Sequence, residues 1–425
     1  MKFHNLLLTL LASSTLVLTG CGGGSSSGGS SSGDLPDTNN TPVDPAPGDS
    51  TDDSGTDDGN NDGTDDSNDG ATLDPQVSDQ SWSAGDDEMI DMIWPYADIE
   101  TEAPLYLLKN TSSGAKIMKG KPATSTESAE DFAEVLSFTG NTVGAIEAYR
   151  FIDANGQPDR LIYTCDNSSG TSSINIYKES DFGATPASLP LYNYYPLGAG
   201  NVRWDISNCD SLSIGAATVS TSGFSVTLIV GGIGGEQITT ANFYQVAKAE
   251  IAFNINAGGS ITTGTYAGLP TRINKYDANN NDIQAVHALD SNSAIVAFTA
   301  PANSQNRVHL TRDAGSDINL MISGENKFDG TTSLWDVKDI HVWKKSATDA
   351  RVYMTSPAGG SFLISYDPTN LTKNGENTFT SGDIQHCGDV ITGFRSPATS
   401  GTLWCQDSTD AAEILEFTAP DIPAL

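Results

Sequence analysis

One eight-residue pattern recurs along this chain, and its spacing limits the folds open to it. Asp282-Ile283-Gln284-Ala285-Val286-His287-Ala288-Leu289 aligns with Asp336-Val337-Lys338-Asp339-Ile340-His341-Val342-Trp343. Thr142-Val143-Gly144-Ala145-Ile146-Glu147-Ala148-Tyr149 fits the same frame. Each copy is followed by an apolar run ending in threonine, at Thr164, Thr299 and Thr355. Third runs then follow, such as Ile174-Asn175-Ile176-Tyr177 and Phe362-Leu363-Ile364-Ser365-Tyr366. A looser copy runs from Asp383-Ile384 through Leu403-Trp404-Cys405 to Ile414-Leu415-Glu416-Phe417. Val143 and Ile283 are 140 residues apart, three steps of about 47; Ile283 to Val337 is 54 and Val337 to Ile384 is 47. Units of this size cannot bury an apolar face alone, so they stack on their neighbours.

The runs themselves are short, β-branched or aromatic, and bounded by Asn, Asp, Gly and Ser, which is the strand signature. Convincing helical periodicity is confined to Glu127–Leu136, read as one short helix. The class is therefore all-β. Three or four strands per unit of about 47 residues fit a β-propeller of six to eight blades, with two degenerate copies expected between residues 180 and 280. Another all-β arrangement, such as a pair of sandwiches, is the alternative. The copies carry no WD or kelch signature.

The first 20 residues read as an export signal, with Lys2 at the charged end and an apolar stretch from Leu6 to Leu18. That stretch is shorter than the ~20 residues of a membrane-spanning helix. It ends in Leu18-Thr19-Gly20-Cys21, and here the chain resembles bacterial lipoproteins, whose lipobox is a Leu, two small residues and the cysteine that is lipidated. The resemblance covers residues 1–21. It implies that Cys21 becomes the mature N-terminus, carrying a diacylglycerol thioether and an amide-linked acyl chain, and that the membrane is contacted through this anchor. Gly22 stands where the family's inner-membrane retention signal has Asp, so the outer membrane of a Gram-negative envelope is the expected address.

Residues 21–80 form the expected tether. A Gly/Ser run from Gly22 to Gly33 precedes an Asp/Asn/Thr/Gly stretch with almost nothing to bury, a composition that cannot offset the entropy of ordering. Residues 81–425 are left as the folded repeat domain.

Charge narrows the partners. The chain carries a formal charge of −33, and residues 3–108 hold 21 of its 54 acidic residues with no Lys or Arg. Such a surface repels phosphate, which excludes nucleic acid as a partner. Beyond Cys21 there are four cysteines, Cys165, Cys209, Cys387 and Cys405. In an exported chain an even number implies two bridges, with three connectivities open. Pairing between neighbours is favoured, because Cys387 and Cys405 fall in one unit and Cys165 and Cys209 in adjacent units.

Motifs for chemistry are few. There is no GxSxG elbow, HExxH, P-loop or zinc-type Cys/His spacing. Val230-Gly231-Gly232-Ile233-Gly234-Gly235 lacks a dinucleotide-binding spacing and reads as a turn. Two loops place oxygen side chains at alternate positions, as calcium loops do: Asp153, Asn155 and Asp159, then Asp277, Asn279 and Asn281. Structural calcium is the candidate cofactor, although Asn, Asp and Gly are also ordinary turn residues. His287 and His341 occupy one template position, where Glu147 stands in a third copy. In a propeller such positions converge on the axis, and a hydrogen-bonded structural role competes with proton or metal chemistry. Tyr192, Tyr194 and Tyr195 form an aromatic cluster suited to contact.

These features point to a lipid-anchored envelope protein whose repeat domain presents a binding or scaffold surface to an envelope protein. The alternatives are a surface enzyme acting on polysaccharide, for which no convergent catalytic set is legible, and a glycan-binding adhesive module.

Overall fold

The computed structural model describes residues 80–83, 87–97, 104–121, 130–153, 155–197, 200–220, 222–237, 241–254, 261–262, 264–277, 282–299, 307–313, 318–319, 337–346, 348–355, 361–367, 372–379, 386–393 and 402–418. The export signal, Cys21 and the tether lie outside them.

The strands group into consecutive antiparallel meanders. Blade A comprises β2 (Glu88–Ile93), β3 (Leu105–Thr111), β4 (Gly114–Lys121) and β5 (Glu130–Ser137), after an opening strand β1 (Gln80–Ser83). Blade B comprises β6 (Val143–Ile152), β7 (Pro158–Asp166), β8 (Ser173–Lys178) and β9 (Ala187–Pro190). A two-stranded ribbon, β10 (Tyr192–Leu197) and β11 (Gly200–Asp205), leads into sheet C. Sheet C has five strands: β12 (Asn208–Ser220), β13 (Gly223–Gly235), β14 (Asn242–Asn254), β15 (Thr265–Tyr266) and β16 (Thr271–Asp277). Blade D comprises β17 (Asp282–Asp290), β18 (Ser293–Thr299), β19 (Arg307–Arg312) and β20 (Ile318–Asn319). Blade E comprises β21 (Asp339–Ser346), β22 (Asp349–Thr355), β23 (Ser361–Asp367) and β24 (Thr372–Phe379). Blade F comprises β25 (Cys387–Gly393), β26 (Thr402–Asp407) and β27 (Glu413–Thr418), with β1 returning as its fourth strand.

The first strands of these sheets close a ring: β2 packs on β6, β6 on β12, β12 on β17, β17 on β21, β21 on β25 and β25 on β2. This is a β-propeller. Among the described residues it holds five four-stranded blades where the repeat length predicted six to eight, and the five-stranded sheet C takes the remaining place. The two degenerate copies expected between residues 180 and 280 are replaced by this one enlarged sheet and its ribbon. Its strands β12, β13 and β14 run 13 residues each, with register shifts at Cys209/Ser211 and Ile214/Ala216.

Apolar side chains gather in the seams between neighbouring sheets. Blades A and B clasp Tyr106, Leu108, Ile146 and Ile162; blades D and E clasp Ile295, Leu310, Val342 and Val352. At the ring closure, Trp94 of blade A stacks on Trp404 of blade F with centroids 4.7 Å apart. Each blade is covered on both faces, so its inner strands are buried almost continuously, as in Asp159–Cys165 of β7. That coverage explains why apolar runs, rather than clean alternation, marked the strands.

Two expectations are corrected. Glu127–Leu136 is no helix: its described residues lie in β5, the outer strand of blade A. The glycine run 231–235 is no turn either, but lies within β13. A Cβ on Gly232 would strike the Asn208 carbonyl and one on Gly234 the Asp205 carbonyl, so glycine here permits close strand approach.

The four cysteines form two bridges, Cys165–Cys209 and Cys387–Cys405. The first ties blade B to sheet C, and the second joins β25 to β26 within blade F.

Candidate functional site

Register across the blades brings the template's sixth position to the axis. Glu147 of β6, His287 of β17 and His341 of β21 are joined there by Ser213 of β12 and Thr392 of β25. All five are buried, at 0, 5, 1, 1 and 2% exposure respectively. Side chains this deep must find partners, because an unpaired buried polar group costs about 1–3 kcal/mol. The partners are backbone amides of the next blade. Ile214 N donates to Glu147 Oε2 at 3.0 Å, Ala288 N to Ser213 Oγ at 2.9 Å and Trp94 N to Thr392 Oγ1 at 3.2 Å. A second tier uses Asp91, Ser211 and Asp339. They accept from Ile146 N at 2.9 Å, Val286 N at 2.8 Å and Ile391 N at 2.9 Å.

These bonds all run in one sense, from a side chain on one inner strand to the amide of the following one. Two further contacts cross the junction of blades D and E. The His287 and His341 rings meet edge to face, 5.1 Å apart and 88° to each other, and the Lys344 ammonium donates to the Leu289 carbonyl. Burial lowers the Lys344 pKa, with Asp290 acting in the opposite direction.

Ile90, Asp91, Asp210, Ser211, Gln284, Lys338, Asp339, His341 and Asp389 are among the residues around a cavity of about 50 Å³ on this axis. Ligand pockets typically measure about 300–1,000 Å³. The space admits a few waters. Of the four carboxylates around it, Asp91 and Asp339 are each engaged with an amide of the adjacent blade.

The other sequence candidates lie elsewhere. Asp153 closes the β6–β7 turn: its Oδ1 accepts from Asn155 N and Gln157 N, each at 2.8 Å. These bonds hold its carboxyl below the usual carboxylate range, the Gln157 amide foremost, with burial opposing. Asn155 donates to Asp153 Oδ2 at 3.2 Å. Asp159 is buried instead beside Ser180, whose Oγ donates to it at 2.6 Å, and pairs with Lys178 at 3.3 Å. Asp153 and Asn155 thus share the turn, and Asp159 serves blade contacts. Asp277 ends β16, while Asn279 and Asn281 lie outside the described residues. Among the described residues, no group of three or more His, Cys, Asp or Glu is placed to hold a metal ion. His309 packs against Tyr276 and Phe298, and the His386 carbonyl accepts from Ser408 N.

The aromatic cluster is on the β10–β11 ribbon. Tyr192 and Tyr194 sit edge to face with centroids 6.0 Å apart, and the Arg203 guanidinium lies 4.5 Å from the Tyr192 ring centre. Tyr195 belongs to β10, opposite Val202. Arg203 was not legible as part of this group, because only the ribbon's register places it opposite Tyr194.

No protein-family model matches the chain, and no curated protein matches it. Among solved structures it is similar to the Aleuria aurantia lectin in complex with alpha-methyl-L-fucoside, at 10% identity over 76% of this chain and 91% of that one, with a TM-score of 0.41. A second structure of that lectin, described as a six-bladed β-propeller, matches at 9% identity over 76% and 89%, again with a TM-score of 0.41. Drosophila Semaphorin 1a, extracellular domains 1–2, matches at 9% identity over 81% and 88%, with a TM-score of 0.35.

Proposed function

We propose that this chain is an envelope lipoprotein, anchored through Cys21, whose propeller acts as a binding module for another envelope component. The observation that carries the reading is the use made of the axis. A cavity of about 50 Å³ is lined by side chains such as Asp91, Ser211 and Asp339 that bind the next blade. Such an axis favours recognition on the rims and outer faces over turnover at the centre. The lipobox supports the anchor, and an outer-membrane address follows from Gly22.

The test has two readouts. A palmitate analogue fed to cells should label the wild-type chain and not Cys21→Ala, and crosslinked membranes should yield one envelope protein enriched with the anchored form alone. Equal labelling of both forms would overturn the anchor. Recovery of the bait alone, under crosslinking that captures a control complex, would overturn a protein partner and direct the search to glycans and hydrolase substrates.

A further inference from the structure

We propose that the outward face of the β10–β11 ribbon is a binding subsite for a neutral saccharide. The proposal rests on the binding-module reading and names a ligand class for it. Strand alternation sorts the ribbon into two faces. Val202 and Trp204 point inward and are buried, Trp204 joining the core between blade B and sheet C. Tyr192, Tyr194, Arg203 and Asp205 take the opposite face, paired Tyr192 with Asp205 and Tyr194 with Arg203.

The exposed set has the chemistry a sugar ring requires. Tyr194 is 47% exposed on a regular strand, beside Tyr192. Its ring offers an apolar platform for the C–H face of a pyranose, and its hydroxyl a polar edge. Arg203 and Asp205 lie 3.6 Å apart, with side chains 38% and 25% exposed. Together they supply planar donors and planar acceptors of the kind that bind vicinal hydroxyls in pairs. Because the two charges offset each other on a chain of formal charge −33, an acidic glycan gains no attraction there.

The ribbon is also held rigid, which reduces the ordering cost of binding. Asn193 Nδ2 donates to the Pro270 carbonyl at 2.6 Å. Arg203 Nη2 donates to Thr171 Oγ1 at 2.9 Å, and Gln245 Nε2 donates to the Asp205 carbonyl at 2.8 Å. Gln237 N donates to the Arg203 carbonyl at 2.8 Å. Two strands, two blades and a connecting loop thus fix a surface that makes no core.

The purified full-length chain is applied to an immobilised panel of neutral hexose- and deoxyhexose-terminated oligosaccharides, with uronic- and sialic-acid-terminated members as the charged arm. Binding to at least one neutral member is expected, weakened at least tenfold by Tyr194→Ala and by Arg203→Ala. Val219→Ser, at the exposed tip of the β12–β13 hairpin, should leave it unchanged. Thermal melts equal to wild type for Tyr194→Ala exclude misfolding as the cause. Binding confined to acidic members, or binding indifferent to both ribbon variants, overturns the proposal. If no glycan binds while crosslinking still recovers an envelope protein, the saccharide subsite falls and the binding-module reading stands. If neither occurs, both fall.

Discussion

The amide of Ile214 donates to the Glu147 carboxylate at 3.0 Å across the seam between blade B and sheet C, while the other carboxylate oxygen accepts from Ala148 N at 2.9 Å. One fully buried side chain thus satisfies two amides on two sheets. Glu147→Ala leaves both without this acceptor and should cost about 1–3 kcal/mol for each amide left unpaired. Glu147→Gln presents an NH2 to one of them, so it should also destabilise, though less. Ser213→Ala removes a single acceptor, that of Ala288 N, and should cost about 1 kcal/mol. Urea denaturation of the three variants ranks them; a Glu147→Ala midpoint equal to wild type would refute this role.

How much of this was legible follows from where the backbone keeps its period. The template holds in blades B, D and E, and it placed Glu147, His287 and His341 at one level. Thr392 and Ser213 share that level, but blade F carries a register shift between Cys387 and Ile391 and sheet C two within β12. A bulge adds a residue and moves the pattern out of phase. The same effect disguised β5. Phe132, Val135 and Leu136 have helical spacing, yet the β4–β5 pairing shifts at Ile117/Met118 and at Lys119/Lys121. Phe132 packs into one seam and Val135 and Leu136 into the other. The ribbon face was only half legible: the tyrosines are adjacent in sequence, but Arg203 and Asp205 reach them through register.

The bridge Cys165–Cys209 closes 44 residues and Cys387–Cys405 closes 18. By chain entropy the first should contribute about 4 kcal/mol and the second about 3 kcal/mol. Replacing each pair by serine should lower stability in that order, because the longer loop restricts the unfolded chain more. Non-reducing peptide mapping should find these two linkages; a Cys165–Cys387 or Cys165–Cys405 peptide would contradict the blade assignment.

Strand β1 closes the ring by pairing Gln80 with Glu416, Ser81 with Leu415, Trp82 with Ile414 and Ser83 with Glu413. A chain starting at residue 84 leaves β27 as an open edge, a template for pairing with other chains. It should melt at lower temperature and form concentration-dependent aggregates in size-exclusion chromatography, whereas a chain starting at residue 75 should not. Identical behaviour of the two would show that closure does not depend on β1.

Glu236 is nearly enclosed, its side chain 2% exposed, and it pairs with Arg272 and with Lys275, the latter at 3.1 Å. Burial alone would raise its pKa, but the two cations together hold it below the ordinary 4.5. A carboxyl with a depressed folded-state pKa contributes stability that is complete above its unfolded value and is lost as pH falls through the folded value. Glu236→Gln should therefore cost roughly 1–3 kcal/mol at neutral pH, a range that allows for the solvent reaching Lys275. The gap between variant and wild type should narrow as pH drops below about 4.5, the ordinary value from which Glu236 is depressed. Urea midpoints measured from neutral pH down to acid test this, and a gap that stays constant or widens toward acid would show that the pairs do not hold the carboxylate ionised.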